Sequence, residues 1–277
     1  MRIKQILSIA LVLTGGIGLA ALEVPQPAAP VPTTPTVQAA PSSVVILDYH
    51  TFLDSHNSSI DFSLEEFASQ LDAIKALGYR FVSLEDAISG TIEGNANIVL
   101  TIDDGNHSIW EACRKVLEPR GIKPVLFVYP AIILGRVKYA ITSEHLAELA
   151  RDGSTLGAHG YHHNPVTDRA WAKNPKDFMT EIKRPGPALA RMTGITPLYF
   201  AYPFGVFSRR AEEELKDAGY EWAFAADAKI VPVDFSSPSL DHFAVPRTIV
   251  YRWNAKLVLK TLARLLGETA PAAPPTP

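Results

Sequence analysis

Two adjacent carboxylates, Asp103 and Asp104, close an apolar run from Ile98 to Ile102 and are followed at once by Gly105. Ionised groups at the end of an apolar strand are costly unless a cation lies beside them. On a regular strand the pair would face opposite ways, and a turn at Gly105 could bring both to one cavity. Three of the eight histidines stand within five residues, in His159-Gly160-Tyr161-His162-His163, directly after a second strand-like run from Ser154 to Ala158. His159 and His163 are four apart, the spacing at which a helical turn lets two imidazoles meet one ion. With one carboxylate they make a three-ligand set for a single divalent metal, with room left for water. Zn is the first expectation, Co, Ni and Fe also fit, and the same set could serve an Fe(II) oxygenase.

Two further segments also leave apolar runs. Phe200-Ala201-Tyr202-Pro203-Phe204-Gly205 surrounds a Pro and a Gly with aromatics, a rigid wall of the kind sugar rings lie against. Tyr202, Pro203 and Phe204 are its candidate binding residues. Leu47-Asp48-Tyr49-His50 ends the first apolar run of the folded unit, so His50 is a candidate proton donor. Cys113, the single cysteine, lies on an apolar stripe with Ile109, Val116 and Leu117, which predicts a core thiol rather than a nucleophile.

The elements that must position these groups alternate along the chain. Apolar runs at 44–47, 81–84, 98–102, 125–128, 154–158, 198–201, 222–225 and 248–251 read as strands. Between them lie helical patterns, among them Ser63-Leu64-Glu65-Glu66, a capping box ahead of Phe67, Leu71, Ile74 and Leu77, with Gly78 as the stop. Others are expected over 108–119, from a cap at Ser143, over 175–192 with a kink or split at Pro185 and Pro187, over 208–218, and near the end of the chain. Uninterrupted apolar strands suit a parallel sheet buried on both faces. About seven such units in one domain predict an α/β fold, a deformed (β/α) barrel with its chemistry at the ends of the strands.

Composition narrows the partners. The chain has 277 residues, 47% of them hydrophobic, and a net charge of −3. That gives no basic field for nucleic acid and fits a neutral substrate best. Arg2 and Lys4 precede an apolar run from Ile6 to Leu22, read as a signal peptide over 1–22. It would leave the protein exported, whether periplasmic, in the cell envelope or secreted. The run is short for a stable span, so a membrane partner is expected only if the segment stays uncleaved. A Pro/Ala/Thr-rich linker follows over 23–43, then a folded unit over 44–267 and a Pro/Ala-rich tail over 268–277.

Together the segments resemble the polysaccharide deacetylase family, whose catalytic domain is the NodB-type deformed barrel. Thr101-Ile102-Asp103-Asp104-Gly105 is similar to its Thr-Phe-Asp-Asp-Gly motif, His159 to His163 to its His-Ser/Thr-x-x-His motif with Gly160 at the hydroxyl position, and Phe200 to Gly205 to its third motif at Pro203 and Gly205. Leu47 to His50, Phe67-x-x-x-Leu71 and Leu77-Gly78-Tyr79 look most like the poly-N-acetylglucosamine branch. The resemblance implies metal-dependent release of acetate from N-acetylglucosamine units of a polysaccharide: poly-N-acetylglucosamine first, then peptidoglycan or chitin-type oligomers. It implies Asp104, His159 and His163 as metal ligands, Asp103 as general base, His50 as general acid, and the Phe204 amide beside the developing oxyanion. Ala201 stands where the family often has an arginine, so orienting Asp103 falls to another residue, with Arg247, also counted among the substrate-binding candidates, in view. The family's late Leu-His motif has only Asp241-His242 as a loose counterpart, which leaves His242 as the other candidate acid. A catalytically silent glycan binder and a metal amidase acting on a non-sugar amide are the alternatives.

Overall fold

Strand β1 (Val44–Tyr49) is buried along its whole length, the state its unbroken apolar sequence calls for between two covered faces. A computed structural model describes residues 42–269; the expected signal segment, nearly all of the linker and the last residues of the tail lie outside them. Helix α1 (Leu64–Ala76) begins at the capping box of Ser63 and Glu66 and buries Phe67, Leu71 and Ile74. The run at 81–84 is a strand only at its start. Strand β2 is Arg80–Phe81, and Ser83 then accepts from the Asp86 amide at 3.0 Å to open α2 (Leu84–Ser89). A serine cap with Glu85 and Asp86 in the first turn outweighs the apolar pattern there.

Strand β3 (Asn97–Asp104) leads to α3 (Ser108–Ala112), which runs on as a π turn over Cys113–Leu117 and a 3-10 turn over Glu118–Arg120. Then come β4 (Val125–Val128), α4 (Pro130–Leu134) and α5 (Ser143–Arg151), the last capped by Thr142 and not Ser143. After β5 (Thr155–Ala158) a short polar helix, α6 (Asp168–Lys173), precedes the expected one, which splits at Pro185 into α7 (Pro175–Lys183) and α8 (Pro185–Thr193). Strand β6 (Tyr199–Ala201), α9 (Arg209–Asp217), β7 (Trp222–Phe224), β8 (Thr248–Ile249) and α10 (Ala255–Thr269) complete the described chain. Among the described residues no helix is long and apolar enough to cross a membrane.

All the strands are parallel, in the order β7-β6-β5-β4-β3-β1-β8, with β2 beside the first half of β3. Bridges Phe224↔Val245 and Asp227↔Thr248 carry the pairing from the end of β7 to the approach of β8, which curls the seven-strand path into the deformed barrel expected. Strand alternation then sorts the core. Val45 and Leu47, Ile98 and Leu100, and Leu126 pack with the helices. Val44 and Ile46, Val99, Val125 and Phe127, Ala201 and Phe224 form a second cluster on the other face, the barrel interior. Gly157 is part of that interior, because a Cβ there would lie 2.2 Å from the Phe127 ring.

Candidate active site

The inward alternation continues past the apolar layers and turns polar at the carboxyl ends of the strands. After Val44 and Ile46 come Asp48 and His50. After Val99 come Thr101 and Asp103, and two residues beyond Gly157 stands His159. Period-two geometry therefore brings residues from three strands to one mouth.

Asp104, next along β3, would face away. It does not, because its own backbone turns left-handed at φ +75°, followed by Gly105 at φ +94°. The turn thus begins one residue earlier than expected. Gly105 is needed for closeness as well as for φ, since a Cβ there would meet Val128 at 2.7 Å. Asp104, His159 and His163 each bring a ligand atom within 4.8 Å of the others. His163 Nε2 lies 3.3 Å from Asp104 Oδ1 and 3.1 Å from His159 Nε2. The Nδ1 of His159 is 2.9 Å from the Ala201 carbonyl, the contact that aims Nε2 inward. Asp104 Oδ1 is buried without a hydrogen-bond partner. Two imidazole nitrogens and a carboxylate oxygen around one point, the oxygen unsatisfied, fit a divalent cation. Burial, then the neighbouring His159, push the His163 imidazole down to about 4, so it stays neutral, the form that ligates.

The five-residue histidine segment is a loop rather than a helical turn. Gly160 has φ +73° and His163 φ +65°. Glu181, fully buried on α7, imposes this path by accepting from the amides of Tyr161, His162 and Asn164 and from the Asn164 side chain, at 2.8 to 3.2 Å, while His162 Nδ1 lies 3.2 Å away. A Cβ on Gly160 would stand 2.7 Å from Glu181 Oε2. Sequence reasoning missed Glu181. The signal was an acid three residues after Phe178 on an otherwise apolar stripe, Phe178, Glu181, Ile182.

Beside the ligand cluster, Asp103 is held by Arg247 in a fork, Nη1 to Oδ1 and Nη2 to Oδ2, each 2.7 Å. Arg247 also donates to Thr101 Oγ1 at 3.0 Å and to the Ala225 carbonyl at 3.3 Å, and lies over the Phe127 ring at 5.0 Å. Burial alone would raise the Asp103 carboxyl, but the guanidinium, with His159, outweighs it and holds the group well below the usual carboxylate range. Arg247 is 1% exposed, so it orients Asp103 and cannot touch a substrate, which corrects its place among the substrate-binding candidates. Asp48, His50 and Asp103 form a second cluster within 4.8 Å. Asp48 is 3.4 Å from Arg247, and its burial, against that cation, pushes its carboxyl up to about 7. Burial lowers the His50 imidazole, yet Asp48, Asp103 and Asp104 reverse this and leave it above its ordinary value.

The aromatic wall is thinner than expected. Tyr202 is fully buried, donates to the Phe243 carbonyl at 2.8 Å and stacks on Phe207; Pro203 is buried as well. Neither presents a face to a substrate, because the segment folds back against the 243–245 strand approach. Phe204 does: at φ +60° its ring stands over His163 at 4.5 Å and is 61% exposed. Gly205 permits the turn, since a Cβ would come within 2.3 Å of the Ala226 carbonyl. His242 stacks on Trp222 at the first residue of β7, the end opposite the site. Cys113 is buried, its thiol pushed up to about 12 by burial, in keeping with a core role.

Residues 92–223 match the family model described as polysaccharide deacetylase. The fold is similar to that of IcaB from Ammonifex degensii, at 24% identity and a TM-score of 0.68 over 81% of this chain and 98% of that one. It is also similar to the Streptococcus pyogenes deacetylase PplD in complex with acetate, at 19% identity and a TM-score of 0.68 over 80% and 99%. A de-N-acetylase from Aggregatibacter actinomycetemcomitans aligns at 16% identity and a TM-score of 0.67 over 79% and 99%. At these identities the likeness is one of fold. No curated protein matches the sequence.

Proposed function

We propose that this chain, whose residues 92–223 match the polysaccharide deacetylase model, is a hydrolase of that family and removes acetyl groups from an N-acetylglucosamine polymer outside the cytoplasm, with a divalent metal at Asp104, His159 and His163. One observation carries the reading. A ligand triad with an unsatisfied carboxylate oxygen lies directly beside a carboxylate kept ionised by a buried arginine.

Roles follow from chemistry. The cation, zinc first among candidates, would supply Lewis acidity for the attacking water and the acetyl carbonyl. Asp103, kept ionised by its fork to Arg247, is available in the charged form to take the water proton as attack develops. Its neighbour Arg247 fixes both carboxylate oxygens and so limits rotation away from the reacting water. His50, whose imidazole is lowered by burial but raised overall by the nearby Asp48, Asp103 and Asp104, is placed to supply a proton to the departing sugar nitrogen. Phe204, exposed over the mouth, covers one side of a sugar ring. A glycan binder without activity would have no use for a buried Asp103–Arg247 pair, and that pair favours the enzyme.

Poly-N-acetylglucosamine is the preferred polymer, supported by the Leu47 to His50 segment, where both Asp48 and His50 reach the site cluster. Description of one fold neighbour as a de-N-acetylase accords with N-acetyl chemistry. Export is supported by the basic and apolar residues at the start of the chain. The test is acetate release, followed by mass spectrometry, from poly-N-acetylglucosamine, peptidoglycan and chitin-type oligomers, with and without a chelator. Release from the first that stops with chelation and returns with zinc is the expected result. No release from any of the three rejects the assignment of activity.

A further inference from the structure

We propose that Tyr251 and Trp253 form a second carbohydrate subsite, a stacking platform for a pyranose unit next in the polymer to the one being deacetylated. The proposal rests on the reading above and deepens it from a single sugar to a chain.

Trp253 is 67% exposed, more than any other large apolar side chain among the described residues. Its ring lies parallel to that of Tyr251, 5.3 Å between centroids at 13°, so one face is covered and the other is open. Leu257, one turn on, is 60% exposed and extends the apolar strip. An isolated exposed aromatic needs no explanation, but an ordered pair with an open face does.

The pair is held firmly. Asn254, 2% exposed, accepts the Tyr251 amide at 2.8 Å and donates to the Ile249 carbonyl at 3.0 Å. Arg252 donates its amide to the Ser59 carbonyl at 2.8 Å, and its guanidinium lies 3.5 Å from Glu66. A ligand settling on rings already fixed in this way loses little side-chain freedom on binding.

Position makes the platform part of the active face. The turn leaves the carboxyl end of β8, whose Ile249 is in register with Asp48, and the Val250 amide donates to the Asp48 carbonyl at 2.9 Å. From Val250 to Trp253 the backbone can span at most about 11 Å. His50 is two residues beyond Asp48, just past the end of the neighbouring strand β1, which puts the turn on the acid's side of the mouth. Phe204, over His163, stands on the metal's side. Open aromatic surfaces on both sides of the reacting centre suit an extended neutral glycan, whose pyranose rings offer apolar faces to aromatics.

Chain-length kinetics provide the test, with acetate release measured on N-acetylglucosamine oligomers from the disaccharide to the hexasaccharide. Trp253→Ala should raise KM for the longest oligomers about 2- to 13-fold, the range of an aromatic stacking contact, with kcat unchanged and the disaccharide unaffected. Trp253→Phe should recover most of the loss. An equal change at every length, a fall in kcat alone, or no change overturns the platform. So does sedimentation in which wild type is a dimer and the variant a monomer with length-independent kinetics, since the patch would then serve a second copy of the chain. Calorimetric binding of the hexasaccharide to wild type and variant is the second measurement. If wild type releases no acetate, the activity has failed, and equal affinities, or no binding to either protein, overturn the platform independently.

Discussion

Arg247 grips Asp103 through two parallel hydrogen bonds of 2.7 Å, in a site where neither side chain is more than 2% exposed. The two residues are 144 positions apart, and each removes the other's burial penalty. Lysine cannot reproduce the fork. Arg247→Lys is therefore expected to keep the fold and lower kcat at least about tenfold, because Asp103 would rotate out of line. Arg247→Ala leaves Asp103 and Asp48 without their cation and should cost about 3–5 kcal/mol of stability. Thermal unfolding and acetate release, measured together, check both; wild-type kcat in the lysine variant would disprove the orienting role.

Asp103→Asn removes the base and keeps the shape. Turnover should fall by about 10²–10⁴ while zinc content by mass spectrometry stays at one per chain. Asp48, 3.4 Å from the same guanidinium, remains as its partner, so the variant should still fold. Loss of zinc would mean that Asp103, and not Asp104 alone, ligates the ion.

His50 must carry a proton to act as acid, and three carboxylates hold its pKa above the ordinary value, Asp48 first among them. Activity is thus retained below that raised pKa and declines as pH rises through it. Asp48→Asn withdraws the strongest of these influences, so His50 loses its proton at lower pH and the alkaline limb of kcat/KM should move toward acid. A limb that moves the other way, or stays in place, would show that another group sets it.

Glu181 accepts hydrogen bonds from three backbone amides around His163, a histidine with φ +65°. Left-handed backbone at a non-glycine residue persists only where its surroundings enforce it. Glu181→Gln turns an amide NH2 toward those donors and should weaken zinc binding about 10–100-fold, as loss of a supporting group outside the ligand shell does. Competition against a chromophoric chelator measures this directly. Unchanged affinity with lowered thermal stability would leave Glu181 a purely structural residue.

Much of the architecture was legible because it is periodic. Runs such as Val44 to Leu47 and Ile98 to Ile102 announce buried parallel strands, and Ser63 with Glu66 announces a helix start, each through interactions spanning a few residues. Where two local signals compete, the pattern misleads: at 81–84 the Ser83 cap defeats the strand, and at Tyr202 an aromatic that reads as a sugar wall is a core residue hydrogen-bonded to Phe243.

By itself the chain's order of residues determined which groups can do chemistry, since Asp103, Asp104, His159, His163 and His50 all stand at the ends of apolar strands and alternation aims most of them inward. Only the tertiary structure decided how they are held. Arg247 finds Asp103 across the barrel, Glu181 shapes the histidine loop from a helix, and His242 is carried to the far end of β7. Periodicity is a short-range property of the backbone and can be read along the chain. Pairing of a buried charge with its counterion depends on which strands close the ring, and that is settled by packing between residues far apart in sequence.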